Sequence, residues 1–373
     1  MMSLSRSLFV GIVVSLLTFG SWLAVSEAAS LKELVEGARK EGQLNVMVSS
    51  TTTPEVVRGL EAAMNKYYGL NLKISYTGAG NYTKVVSIAV AEHRVGTTPT
   101  FDATIGYDAH ITSMMDAGAL EPIQNWKELV PKGTPVDDKS ISPAVLKNIA
   151  FKFVDNFAIV VYNTKLISKA DLPRKLADFG NPKYKGKFSV PPFTVTLCMA
   201  LLTYDNDKEK VLDVYRSWGK NEPKFLTTTQ AVDRMVLGEL SMVPFANDYT
   251  YYLRKEAGDP VGMAVIQDMV TWTPVYNVVR TNAPHPNAAR LWTLFNTGPE
   301  AQRIWEKEVK WMNISYPQQS RAAEIKKFID DSGAKIVNWA ENEETMKLMR
   351  WLFTSKEGED YQNRLTSALR DGR

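Results

Sequence analysis

The stretch Leu44–Pro54, LNVMVSSTTTP, decides how the rest of the chain reads. Leu44 to Val48 has the apolar run of a buried strand. It stops in hydroxyl residues from Ser49 to Thr53, and Pro54 suits the first turn of a helix, where its missing N–H is no loss. A strand's carboxyl end therefore feeds a helix N-terminus through Ser and Thr. Free backbone N–H groups and the positive end of the helix dipole gather there, and the hydroxyls add donors. Ligands of open α/β sheets bind at the carboxyl edges of strands. Ser49, Ser50 and Thr51 thus read as one wall of a ligand site, although the same residues would serve equally as an ordinary N-cap.

Upstream, Leu31 to Lys40 is predicted helical, with Ser30 as N-cap and Glu33 in the capping-box position. Before it come Arg6, an apolar run from Leu8 to Val25, and Ser26-Glu27-Ala28. A charged start, an apolar middle and small residues at the end predict a signal peptide over residues 1–28, cleaved after Ala28. No Cys lies near that point, so a lipid anchor on Cys is not expected. The only cysteine is Cys198, which leaves no internal disulfide and makes the core responsible for stability. A net charge of +3 over 373 residues argues for neither nucleic acid nor an anionic membrane as partner.

Downstream, the strand–turn–helix pattern recurs. Val56, Val57, Leu60, Met64 and Tyr67 have helical spacing within Pro54–Tyr68. Leu70 to Tyr76 alternates as a second strand, Gly78-Ala79-Gly80 follows, and Tyr82 to His93 is helical. Phe101 to Ile105 is a third strand, ending in Gly106-Tyr107-Asp108, with a helix from Ile111 to Ala117. Three β–α units in a row predict a parallel sheet with crossover helices. Ala150 to Tyr162 reads as a hairpin about Asp155-Asn156. The middle third repeats the opening pattern. Phe188 to Val190 leads into Thr194 and Thr196, Lys224 to Leu226 into Thr227 to Thr229, and Met242 to Phe245 into Asn247 and Tyr249. Thr271 to Arg280 reads as one strand. Helices are expected at 286–296, 299–308, 325–329, 344–353 and 360–369.

Catalytic motifs are sparse. The three histidines are His93, His110 and His285, and no GxSxG, HExxH, phosphate loop or cysteine pair occurs. His110 reads as a solvated loop residue. Asp108, His110 and Asp248 are the best acid–base set for an enzyme, yet no nucleophile and base come at a telling spacing. Asp248, Tyr249, Tyr251 and Tyr252 would suit a hard ferric ion. Tyr251 and Tyr252 read better as helix residues burying their rings, and Tyr249 stays a cleft candidate. What remains is a set of neutral donors at strand ends: Ser49, Ser50, Thr51, Ala79, Gly80, Thr194, Thr196, Thr228, Thr229 and Asn247. Tyr82, Tyr107, Tyr249 and Trp272 occupy similar positions and would form aromatic walls. Helix N-termini converging on one cleft would hold an anion without an Arg.

Several segments resemble the periplasmic substrate-binding proteins of ABC importers, in the subgroup that contains the ferric-iron-binding proteins. They are EGQLNVMVSS, TPTFDATI, VVYNTKL, NPKYKGKFSVPP, GELSMVPFANDY and APHPNAARLWTLFNTGPEAQ, spread from about Leu31 to Gln302. The resemblance implies the two-lobed type II fold of class α/β, each lobe a mostly parallel sheet flanked by helices, joined by hinge strands near Val160–Asn163 and Thr271–Asn277. Lobe I would be 29–160 plus 271–373 and lobe II 161–270, with the helices after Pro317 free to pack on either. It also implies a monomer that closes on one small-molecule solute, docks to an inner-membrane ABC permease, works in the periplasm and carries no cofactor. Carried over by position, the iron binders' His, Glu and adjacent Tyr pair fall at Thr51, near Tyr107 and at Tyr249-Thr250, so one ligand survives. The expected cargo is therefore an organic anion or other small polar organic solute. Ferric iron is the alternative cargo, and a secreted enzyme on the same scaffold the alternative class.

Overall fold

Helix α1 (Leu31–Glu41) starts at the capping box read from the sequence: Ser30 Oγ accepts from Glu33 N, and Glu33 accepts from Ser30 N at 2.7 Å. In the computed structural model, which describes residues 29–48, 52–78, 81–137, 141–192, 195–316 and 320–372, three β–α units follow. They are β1 (Gln43–Val48) and α2 (Pro54–Tyr68), β2 (Lys73–Gly78) and α3 (Tyr82–Val95), and β3 (Ala103–Gly106) and α4 (Asp108–Asp116). Strands β2 and β3 flank β1 and run parallel to it. The buried stripe of α2, Val56, Val57, Leu60 and Met64, packs in one cluster with Leu44, Val46 and Val48 of β1. This burial, more than intrinsic propensity, holds α2 in place.

After β4 (Leu120–Glu121) and α5 (Trp126–Leu129) come β5 (Phe151–Val154) and β6 (Phe157–Asn163). They were expected to pair as a hairpin, and they do not. Strand β5 pairs with β12 (Val275–Arg280) in the first sheet, while β6 is the centre of a second sheet. The chain passes between sheets at Asp155-Asn156. The expected first crossing at Val160–Asn163 is therefore displaced, because β6 runs unbroken through those residues with all seven buried. The first sheet has the order β2-β1-β3-β12-β4, with β5 also on β12.

The second region contributes β7 (Ser189–Val190), α6 (Val195–Cys198), α7 (Ala200–Thr203), α8 (Lys208–Gly219), β8 (Lys224–Phe225), α9 (Thr228–Val236), β9 (Met242–Asn247), α10 (Asp248–Glu256), β10 (Val261–Ala264) and β11 (Val270–Trp272). Its larger sheet is β10-β6-β11-β13, with β9 on the other edge of β6 and β13 at Ile336–Val337, and β7 and β8 pair in parallel as a separate two-stranded sheet. The predicted single strand Thr271–Arg280 is two strands, β11 and β12, in different sheets. Pro274 lies in the break, where its missing N–H removes a ladder bond. The two larger sheets are mixed. The parallel expectation holds for β1, β2 and β3, but β12 runs antiparallel to β3, and β9, β10 and β11 run antiparallel to β6. A strand that crosses into a sheet from its neighbour enters in the reverse sense, so the crossings themselves break the parallel order.

The crossings meet at one buried carboxylate. Asp155, 1% exposed, accepts from Lys152 Nζ at 2.8 and 3.0 Å, from Trp272 Nε1 at 2.6 Å and from Ile314 N at 2.9 Å. Its own N–H donates to Met312 O. Lys152, Trp272 and Ile314 stand on three separate passes of the chain.

Helices α11 (Pro286–Phe295) and α12 (Pro299–Val309) return to the first sheet, where Ala288, Leu291, Leu294 and Trp305 join its core. Helix α13 (Ser320–Ser332) packs Ala322, Ile325 and Ile329 against Phe157, Ile159 and Val161 of β6. Helices α14 (Glu343–Thr354) and α15 (Lys356–Asp371) complete the chain, with α15 lying along α8. Of the helices after Pro317, open in the sequence, α13 packs on the second sheet, while α14 bridges α15 and the first-sheet helix α4. Among the described residues no helix is long and apolar enough to cross a membrane.

Candidate functional site

Four helix N-termini at strand ends face one hollow. From the first sheet come α3, capped by the Asn81 side chain on Lys84 N, and α4, which starts after Tyr107. From the second come α9, whose capping box is Thr227 with Gln230, and α10, which starts after Asn247. Between them lies a cavity of about 480 Å³. Its first-sheet wall is Asn81, Tyr82, Thr83 and Tyr107 to His110. Its second-sheet wall is Pro191, Val195, Thr196, Thr228, Phe245 and Asn247, and Thr273 and Trp339 complete it. Larger hollows of about 660 Å³ exist elsewhere among the described residues, but they are not lined by helix starts of both sheets as this one is.

Five of the binding residues read from the sequence meet there, Tyr82, Tyr107, Thr196, Thr228 and Asn247, together with Asp108 and His110 of the acid–base set. Three others do not line the cavity. Thr229 is exposed one residue further along α9. Tyr249 stands just behind the wall, its hydroxyl 3.4 Å from Asn247 Nδ2 and its ring edge-on to Trp311. Trp272 faces a separate hollow with Pro143, Tyr276 and Asn338. Side chains alternate along an extended chain, so Thr273, not Trp272, looks into the cleft. The indole N–H of Trp272 is committed to Asp155. Ser49, Ser50, Thr51, Ala79, Gly80 and Thr194 lie outside the described residues. Tyr251 and Tyr252 bury their rings, as read from their spacing.

His110 is not a loop residue. Helix α4 begins at Asp108, which puts His110 in its first turn, with its ring 5.1 Å from that of Tyr82. Its Nδ1 is buried without a partner, and burial pushes the imidazole down to about 4, so it is neutral at pH 7. Phe245 escaped notice because its signal is conformational: it holds φ 59° inside β9, a backbone strain that non-glycine residues seldom keep without a structural demand. Trp339 escaped because it arrives from far along the chain, between β13 and α14.

The electrostatics separate the helix ends. Helices α4 and α10 carry Asp108 and Asp248 at their first positions, each 1% exposed. Burial pushes both carboxyls up to about 7, against hydrogen bonds from Asn338 and Ala340 to Asp108 and from Phe157 N to Asp248. Helices α3 and α9 have no acid in the first turn, so their positive ends are uncompensated. No Lys or Arg lines the cavity among the described residues. Tyr107 is raised well above 10 by burial, and then by Tyr82 and Tyr249 beside it. Among the described residues, no three His, Cys, Asp or Glu cluster as a metal site. The arrangement offers an aromatic body, neutral donors and two positive helix ends, which is equipment for holding a solute.

The comparisons agree with this geometry. Residues 94–345 match the family model described as bacterial extracellular solute-binding protein. Comparison with curated protein sequences gives no match. Among solved structures, the chain is similar to iron-bound HitA from Pseudomonas aeruginosa, with TM-score 0.60 and 19% identity over 78% of this chain and 99% of that one. It is similar to the substrate-binding protein of an ABC transporter from Agrobacterium tumefaciens, with TM-score 0.66 and 14% identity over 89% and 97%. It also resembles the spermidine/putrescine ABC transporter substrate-binding protein PotD from Streptococcus pneumoniae, with TM-score 0.63 and 13% identity over 88% and 99%. At these identities the structures establish the fold, a two-lobed α/β binding protein, and not the cargo. With the family model spanning more than half of the sequence, the chain belongs to the bacterial extracellular solute-binding proteins.

Proposed function

We propose that the protein captures a small organic anion or polar organic solute between two lobes and delivers it to an inner-membrane ABC permease. The lobes would be residues 29–154 with 275–311, and 157–272 with 320–372, hinged at Asp155-Asn156 and Thr273-Pro274. Residues 1–28 would direct export to the periplasm and then be removed. The protein would act there as a soluble monomer with no covalent chemistry. The observation that carries this reading is the cavity of about 480 Å³ walled by helix starts from both sheets, with α3 and α9 uncompensated. A hollow of that size is far larger than a single ion needs, and its aromatic walls suit an organic body. The organic reading is tested by native mass spectrometry of freshly purified protein. A co-purifying organic molecule, released unchanged on denaturation, supports it, while a processed product would point to an enzyme.

One observation favours ferric iron as cargo instead: the phenols of Tyr82, Tyr107 and Tyr249 stand close together, with His110 beside them. Phenolate oxygens suit a hard trivalent ion. Titration with ferric citrate separates the readings, since a visible phenolate-to-iron charge-transfer band would overturn the organic one.

A further inference from the structure

Helix α4 presents Asp108, Thr112 and Asp116 at intervals of four residues, on one face. Each is engaged by the same distant segment. Asn338 Nδ2 lies 3.4 Å from Asp108 Oδ2, Thr112 Oγ1 lies 3.9 Å from Met346 Sδ, and Arg350 grips Asp116 with two parallel bonds of 2.7 and 3.0 Å. The first-sheet helix is thus held along its length by residues 338–350. That segment is anchored to the second sheet by the pairing of Ile336 with Val270, and through α14 and α15 to α8. Ile111 and Met114 of α4 share one apolar cluster with Met346 and Met349 of α14.

We infer that Asn338–Arg350 is a clasp that holds the cleft shut, and that its release governs solute exchange. Rotation at Asp155-Asn156 and Thr273-Pro274 draws the sheets apart, and α4 cannot move with its own sheet while α14 grips it. The two ends of the clasp differ in kind. Arg350 and Asp116 are 30% and 41% exposed, so water can replace their bonds as they part. The paired fork still fixes one register of α14 on α4. The other end is buried at Asp108, beside the cavity. Trp339, next to Asn338, lines the cavity, so release also withdraws part of the wall. The inference goes beyond the proposed cargo and needs no solute to test it.

The test measures the distance between lobes in the full chain. Nitroxides at Val95→Cys and Leu237→Cys, positions 75% and 76% exposed at the far ends of α3 and α9, report it by double electron–electron resonance, with buried Cys198 unlabelled. The parent protein should show one dominant narrow distribution with a minor longer-distance population. Arg350→Ala and Asp116→Ala should each raise a longer-distance population at least threefold with unchanged thermal melting, and Asp116→Arg combined with Arg350→Asp should restore the parent distribution. Met346→Ala, which keeps the ion pair, should produce a smaller increase. Identical distributions in the parent and both single variants would overturn the clasp, as would a charge reversal that fails to restore closure.

Discussion

Replacing Asp155 by Ala tests the central claim about the architecture, that three passes of the chain are pinned on one carboxylate. The side chains of Lys152 and Asp155 are 2% and 0% exposed, so the change leaves an ammonium group in the interior with no counter-charge. Removing one partner of a buried pair costs roughly 3–5 kcal/mol. The indole N–H of Trp272 and the amide of Ile314 are orphaned as well, each for about 1–3 kcal/mol. Water entering the vacated space recovers part of this, and the expected loss is about 4–6 kcal/mol. Lys152→Met leaves the buried carboxylate without its counter-charge but with two good donors, and should cost about 3 kcal/mol, the low end for breaking a buried pair. The two changes together should cost less than their sum by roughly 1–3 kcal/mol, because the unpaired ammonium is then gone. Urea unfolding followed by far-ultraviolet circular dichroism gives these numbers from the midpoints and slopes. A loss below about 1 kcal/mol for Asp155→Ala, or strict additivity in the cycle, would refute the pin.

The remaining predictions concern pH, packing and the cleft. Asp108 and Asp248 are raised to about 7 in the folded protein, so the folded state holds protons that the unfolded state has released. Their contribution is complete below about pH 4 and is lost as pH rises through 7; His110, lowered to about 4, opposes it between about pH 4 and 6.5. The net expectation from these three groups is a fall in melting temperature from pH 5 to pH 8, and Asp108→Asn should flatten that slope in a calorimetric pH series. Gly219 in α8 lies so close to α15 that an added Cβ would collide with Ala368 O and meet Gly372 N at 2.7 Å. Gly219→Ala should therefore cost about 1–3 kcal/mol by overpacking and speed hydrogen exchange in α15. Thr196→Ala with Thr228→Ala should weaken binding of whichever solute co-purifies by about 1–3 kcal/mol, one hydroxyl bond each, with melting unchanged. Calorimetric titration showing unaltered affinity would remove those two hydroxyls from the site.

The sequence alone determined what is local. Ser30 with Glu33 marked the start of α1, and hydroxyl-rich turns after β-strands marked helix N-termini. Those starts located Tyr82, Tyr107, Thr196, Thr228 and Asn247, because a strand's end and the next helix's beginning are neighbours in sequence as well as in space. Tertiary structure decided what depends on distant partners. AFKFVDNFAIVVY carries the apolar pattern of a hairpin, yet Asp155 finds Lys152, Trp272 and Ile314, and that bonding sends the two strands into different sheets. Which of Trp272 and Thr273 enters the cleft follows from a break at Pro274 whose geometry the pattern does not encode. Trp339 reaches the cavity only because β13 docks on β11 and α14 lies on α4. Periodicity reports which face of an element is buried; the identity of what covers that face is settled when remote segments compete for it.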